Sequence, residues 1–165
     1  MDTLKAILHH LLRAFFGVPK DGFTYPDHHA VRAGVYETTK AYAVTVSLIG
    51  YDVEITVGSG YLFDGATIPR WLWPLAGAPM EPPHDAAALI HDWLYACQIL
   101  TKRQADWIYA QVLAQAGFAY WRVAAEWLAV TVFGGEAWAE AKLRDVQYAV
   151  GQGRILYLPP KHNNN

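Results

Sequence analysis

Asp64, His91, Asp92 and Asp106, side chains able to act as acid, base or metal ligand, fall within positions 64–106. They lie within FDGATIPRWLWPL (63–75), a proline-rich break and AALIHDWLYACQILTKRQAD (87–106). Their neighbours are apolar and aromatic, where an unpaired charge is costly to bury. Mutual hydrogen bonds, a metal or a substrate must therefore hold them. His91 and Tyr95 are four residues apart and share a helix face. Arg103 and Asp106 are three apart and share another. A helical hairpin turning at 98–101 brings the two pairs together, with Asp64 arriving from a loop. His91 and Asp92 point about 100° apart, so both border one cleft without facing the same spot.

This arrangement admits two chemistries and one structural alternative. In the first, His91, Asp64 and Asp106 hold one divalent ion (Zn, Mn or Mg) with open positions for water, and the ion acidifies that water into a nucleophile. Asp92 completes the catalytic set, and Tyr95, Thr67 and Arg103 contact the substrate. In the second, Asp106 or Asp64 orients His91 for proton transfer, with Thr67 as nucleophile or oxyanion donor. In the alternative, the same residues form a satisfied polar network that fixes loop, sheet and helices. His84, seven residues before His91 and at a helix start, is set apart from this site.

The elements that must position these residues follow from pattern. Leu4, Ile7, Leu8, Leu11, Leu12 and Phe15 mark one face of an amphipathic helix ended by Gly17-Val18-Pro19. It either docks on its own domain or forms an arm (1–18) that docks on another chain. Residues 19–34 read as loop, with His28 and His29 solvated. Tyr42, Val44, Val46 and Leu48 alternate with small and polar residues, as do Val53, Ile55 and Val57 after a turn at Gly50-Tyr51-Asp52. Gly58-Ser59-Gly60 turns into Tyr61-Leu62-Phe63, giving a small antiparallel sheet of about three or four strands. Asp64 to Pro83 is irregular, because its prolines forbid a long helix. Helices are then expected over Asp85–Ile99, Lys102–Ala116 (capped by Thr101), Ala119–Val132 and Glu136–Ala149. Strands followed by helices define an α+β fold: one domain over 19–150, with residues 151–165 as a C-terminal tail.

Composition narrows the classes. The 165 residues are 53% hydrophobic and 17% charged, with a formal charge of −2, seven Trp and ten Tyr. No basic run suggests nucleic-acid binding. The low charge and abundant aromatics fit either buried helix interfaces or a contact surface for a partner. A single cysteine, Cys97, excludes an intrachain disulfide and reads as a core thiol. No stretch is apolar for the 18 or more residues of a membrane span. The N-terminus lacks the cleavage pattern of a signal peptide.

The motifs DGATIP (64–69), HDWLY (91–95), Arg-x-x-Asp (103–106) and Gly-Gly-x-x-Trp (134–138) occur in the order seen in a known family. Over about residues 50–140 the chain resembles the domain-of-unknown-function family number 1353 of bacteriophages and prophage-bearing bacteria. Position by position, the resemblance points to Asp64, Thr67, Ile68, Pro69, His91, Asp92, Leu94, Tyr95, Arg103 and Asp106. Phe63 stands where the family usually has Thr, and Thr67 where it usually has Ser. The resemblance implies a phage or prophage setting, in the infected cytoplasm or the virion. The expected function is a small metal-assisted hydrolase acting on the host envelope, peptidoglycan included, or a non-catalytic virion, tail or assembly component. The expected partners are other phage proteins or an envelope component.

Overall fold

The computed structural model describes residues 2–64, 84–140 and 143–159. Thr67, Ile68 and Pro69 lie outside them. Helix α1 (Asp2–Phe16) precedes five strands: β1 (His28–Arg32), β2 (Val35–Thr38), β3 (Tyr42–Leu48), β4 (Tyr51–Val57) and β5 (Leu62–Phe63). Helices α2 (His84–Cys97), α3 (Lys102–Gln115), α4 (Tyr120–Phe133), α5 (Gly135–Ala139) and α6 (Leu143–Gly151) follow, and β6 (Gly153–Tyr157) ends the order. The fold is α+β.

The strands form two three-stranded antiparallel sheets, β1-β2-β5 and β3-β4-β6, rather than one. The β3–β4 hairpin pairs Tyr42 with Val57 through Leu48 with Tyr51. Its buried row is Tyr42, Val44, Val46 and Leu48, the expected alternation. The turn is Ile49-Gly50, both at positive φ (52° and 80°). Two such residues give the tight turn whose twist matches the strands, so Tyr51 and Asp52 belong to β4 and not to the turn. Thr38 joins the sheets: its Oγ1 donates to Gly58 O (2.7 Å) and accepts from Tyr61 N (3.0 Å).

Two segments differ from the sequence reading. Within the loop expected over 19–34, β1 forms against β2. Within the tail expected over 151–165, β6 pairs with β4, Val57 facing Gly153 and Val53 facing Tyr157. Both are short strands stabilised by their partners, and neither carries an apolar alternation of its own.

Helix α2 is the centre of the core, with Ala86–Ile90, Trp93 and Leu94 fully buried. Apolar surface all round is what a helix enclosed on every side requires. Its Trp93 Nε1 donates to Ala149 O on α6 (2.7 Å). Thr101 caps α3 in a reciprocal box with Gln104. The open edge of β3 is covered by α3: Gln111 accepts from Ser47 N (2.9 Å) and donates to Ser47 O (2.7 Å), and Gln115 donates to Thr45 O (2.8 Å).

Helix α1 is held at its C-terminal end. Phe16 is buried and stacks on Trp107 at 5.6 Å, and Tyr120 donates to Gly17 O. Leu4, Ile7, Leu8, Leu11 and Phe15 stay exposed, Leu4 at 74% and Leu11 at 62%. On α4, Trp121, Leu128 and Val132 are exposed too. Among the described residues no helix is long and apolar enough to cross a membrane.

Candidate functional site

The turn of 98–101 folds α3 back on α2, as the spacing of the two pairs requires. His91 Nε2 then lies 3.0 Å from Asp106 Oδ1, and the Tyr95 hydroxyl donates to the same oxygen at 2.6 Å. Lys102 occupies the other oxygen, with Nζ 2.7 Å from Oδ2. The same ammonium donates to Val130 O (2.9 Å) and Thr131 O (3.2 Å) in the last turn of α4. All three of its protons are thereby used, at a helix end where a cation is favoured. Lys102 thus welds the start of α3 to the end of α4.

Electrostatics fix the protonation states. Burial works to raise the Asp106 pKa, but the hydrogen bonds from His91, Lys102 and Tyr95 outweigh it and hold the carboxyl below its ordinary value. Burial lowers the pKa of His91, more than Asp106 raises it. At neutral pH the carboxylate is therefore ionised and the imidazole neutral. An ionised carboxylate only accepts, which places the ring proton on Nε2. The Tyr95 hydroxyl is pushed well above its usual value by burial and by Asp106. His91 and Asp106 are almost wholly enclosed, at 4% and 1% exposure.

A second network runs beside the first. His84 Nε2 lies 3.2 Å from Glu126 Oε1, and Tyr109 donates to Glu126 Oε2 at 2.9 Å. His84, Tyr109 and Glu126 are all buried. The His91 ring lies 5.0 Å from that of Tyr109 and 4.0 Å from that of Tyr95, so the two networks touch through tilted ring contacts. Helix α2 supplies both histidines, two turns apart on one face. Helix α3 supplies Asp106 and Tyr109, and α4 supplies Glu126. His84, set apart by the sequence reading, is thus a member of the buried polar core. Lys102, Tyr109 and Glu126 went unnoticed. The i,i+4 spacing of Lys102 and Asp106 is a signal for the first, and the lone carboxylate among Val123, Trp127 and Val130 is one for the last.

Asp64 and Asp92 lie elsewhere. Both line an open cleft of ≈ 510 Å³ together with Arg32, Tyr61, Tyr95 and Glu140. Asp64 is exposed at the end of β5 and Asp92 is half-buried on α2. Tyr95 belongs to both regions: it walls the cleft while its hydroxyl reaches back to Asp106. Arg103 is exposed on α3. Asp85, in the first turn of α2, accepts from Ala86 N (2.8 Å) and lies 3.5 Å from His28 of β1, which links the first sheet to α2.

Among the described residues no group of three or more His, Cys, Asp or Glu side chains is placed to hold a metal ion. A metal on Asp106 would compete with Lys102 for Oδ2 and with His91 and Tyr95 for Oδ1.

Fold and site together define an α+β protein whose central helix pair is joined by two buried histidine–carboxylate–tyrosine networks and bordered by an acidic cleft. The chain belongs to the family described as protein of unknown function DUF1353, whose model matches residues 42–130. Comparison with curated proteins and with solved structures gives no significant match.

Proposed function

We propose that this protein acts by contact, as a non-catalytic assembly or virion component in a phage or prophage setting. The observation that carries this reading is the exposed apolar face of α1: Leu4, Ile7, Leu8 and Leu11 stay open to solvent while Leu12, Phe16 and the His9 ring, 5.0 Å from that of Tyr120, hold the other face to the domain. Such a face is costly to leave in water and suits a protein partner. The closed state of the buried network supports the same reading, because Lys102 has no proton to spare for a substrate and Asp106 is already held by three donors in a buried setting. The partner is another phage protein or an envelope component, met in the infected cytoplasm or in the particle. The test is Leu8→Lys with Leu11→Lys, in purified protein and in the phage or prophage that carries the gene. A fold that melts as the parent does, with particle formation lost, is the expected result. Normal particle yield from the doubly substituted chain overturns the contact reading.

The second reading is a metal-assisted hydrolase of the host envelope, with His91, Asp92, Asp64 and Asp106 in the catalytic set and Zn, Mn or Mg on His91, Asp64 and Asp106. The placement of Asp64, Asp92 and Tyr95 on one cleft favours it. Metal analysis of chelator-washed protein reloaded with each ion separates the two: one equivalent lost in His91→Ala supports the hydrolase.

A further inference from the structure

We infer that the outer edge of β6 pairs with β6 of a second copy of this chain, antiparallel about Ile155, so that two β3-β4-β6 sheets join into one. This goes beyond the contact function and does not depend on it.

The other strand edges are guarded. The β3 edge is covered by Gln111 and Gln115 of α3. β1 is broken by an irregularity between Ala30 and Arg32, and β5 is only two residues long. Covering, bulging and shortening are the devices that keep a strand edge from pairing with other chains. β6 ends its sheet in unbroken register with β4 from Gly153 to Tyr157.

The ladder shows which groups of β6 face outward. Gly58 N donates to Gln152 O (2.6 Å), and Leu158 N donates to Asp52 O (2.9 Å). Bonded and non-bonded positions alternate along an antiparallel pair. Arg154 and Leu156 therefore turn their backbone groups towards β4, and Gly153, Ile155 and Tyr157 turn theirs away. Among the described residues β6 is paired with β4 alone, so these outward groups have no ladder partner.

The spacing makes this edge complementary to itself. A two-fold axis at Ile155 sets Ile155 opposite Ile155 and Gly153 opposite Tyr157, and every outward N–H then meets a C=O. The side chains suit that register. Two β-branched residues meet at the axis, Tyr157 stands opposite a glycine, and Arg154 stands opposite Leu156. Sliding the pairing one way sets Arg154 against Arg154. Sliding it the other way sets Gly153 against Pro159, which has no N–H to give. Leu156 and Tyr157 are 49% and 56% exposed, apolar surface that the second copy would cover.

The test is sedimentation of the full-length protein from low micromolar to near-millimolar concentration, with amide hydrogen exchange at both ends of that range. The expected result is a reversible dimer whose formation protects the amides of Gly153, Ile155 and Tyr157, while those of Arg154 and Leu156 are protected throughout. Leu156→Lys sets an ammonium opposite Arg154 of the second copy, twice by symmetry, and should weaken the dimer about tenfold or more. Its thermal melt should hold, because position 156 stands opposite Glu54 in the β4 ladder. Adding Arg154→Glu restores opposite charges in this register and should recover the dimer. A monomer at every concentration, a dimer indifferent to Leu156→Lys, or no recovery in the double variant overturns the inference. So does a dimer lost in Leu8→Lys/Leu11→Lys with the Ile155 amide unprotected, which would place the contact on α1.

Discussion

Asp106→Asn is the sharpest perturbation of the buried network, because it changes charge and donor pattern at constant shape. The amide oxygen can still accept from His91 and Tyr95, but as a neutral acceptor, and charge-assisted bonds are roughly twice as strong as neutral ones. At the other position an NH₂ replaces Oδ2, 2.7 Å from the Lys102 ammonium, and sets donor against donor. A hydrogen bond to a charged group contributes about 1.5–3 kcal/mol, and breaking a buried ion pair costs about 3–5 kcal/mol. Lys102 retains two carbonyls, and its side chain is 21% exposed, so water relieves part of the loss. The net cost is about 3 kcal/mol. Against a total stability of about 5–15 kcal/mol this is a large shift. Urea unfolding at pH 7 reads it as a lower midpoint at unchanged slope. Lys102→Met should cost a similar amount, and the double substitution less than the sum, with a coupling of about 2 kcal/mol. Additive losses, or a cost below about 1 kcal/mol for Asp106→Asn, would refute the claim that this network joins α2, α3 and α4.

Two further expectations concern the pH response of the buried network and the seat of β6. His91 has a lowered folded pKa, so the unfolded chain binds a proton near pH 6.5 that the folded chain refuses. Stability therefore falls as pH drops through about 6.5, by up to about 1.4 kcal/mol per unit from this group alone. Asp106, depressed in the fold, adds its own loss only below about pH 4, as pH falls through its folded value. Urea midpoints from pH 4.5 to 8 should show a slope that His91→Gln flattens by about one proton; an identical slope would mean that His91 titrates alike in both states. At Gly153, an added Cβ would meet Thr56 O and Trp93 Cε2 at 2.6 Å. Gly153→Ala should thus destabilise by about 1–3 kcal/mol through overpacking, read by thermal melting, and a neutral result would show that β6 sits loosely on α2.

The legible parts of the fold were those whose pattern is local. Tyr42–Leu48 announces a strand by alternation, and Thr101 with Gln104 announces a helix start, because both signals lie within a few residues. His28–Arg32 and Gly153–Tyr157 carry no such signal: their strand character comes from β2 and β4, partners that the local pattern does not name. The expected last helix became α5 and α6, with Gly135–Ala139 ending after a single short run. The site follows the same rule. His91, Tyr95 and Asp106 were found because two neighbouring helices in a hairpin bring them together. His84, Tyr109 and Glu126 come from three helices, and their convergence is set by how α4 packs. Asp64 and Asp92 share motifs with the buried residues but line the open cleft, since adjacent positions on a helix point in different directions.

The pairing of β6 with β4 bears on how the chain becomes a protein during synthesis. Residues 42–130, the stretch that the family shares, contain β3 and β4 but neither β6 nor Ala149, whose carbonyl receives the Trp93 indole. Until residues 149–157 leave the ribosome, one edge of β4 has open backbone groups and the fully buried Trp93 indole lacks its acceptor. An open strand edge is a template for other chains. A chain cut at 130 would therefore keep β3 and β4 but leave the β6 side of β4 unpaired and Trp93 without its Ala149 acceptor, and should self-associate through that edge.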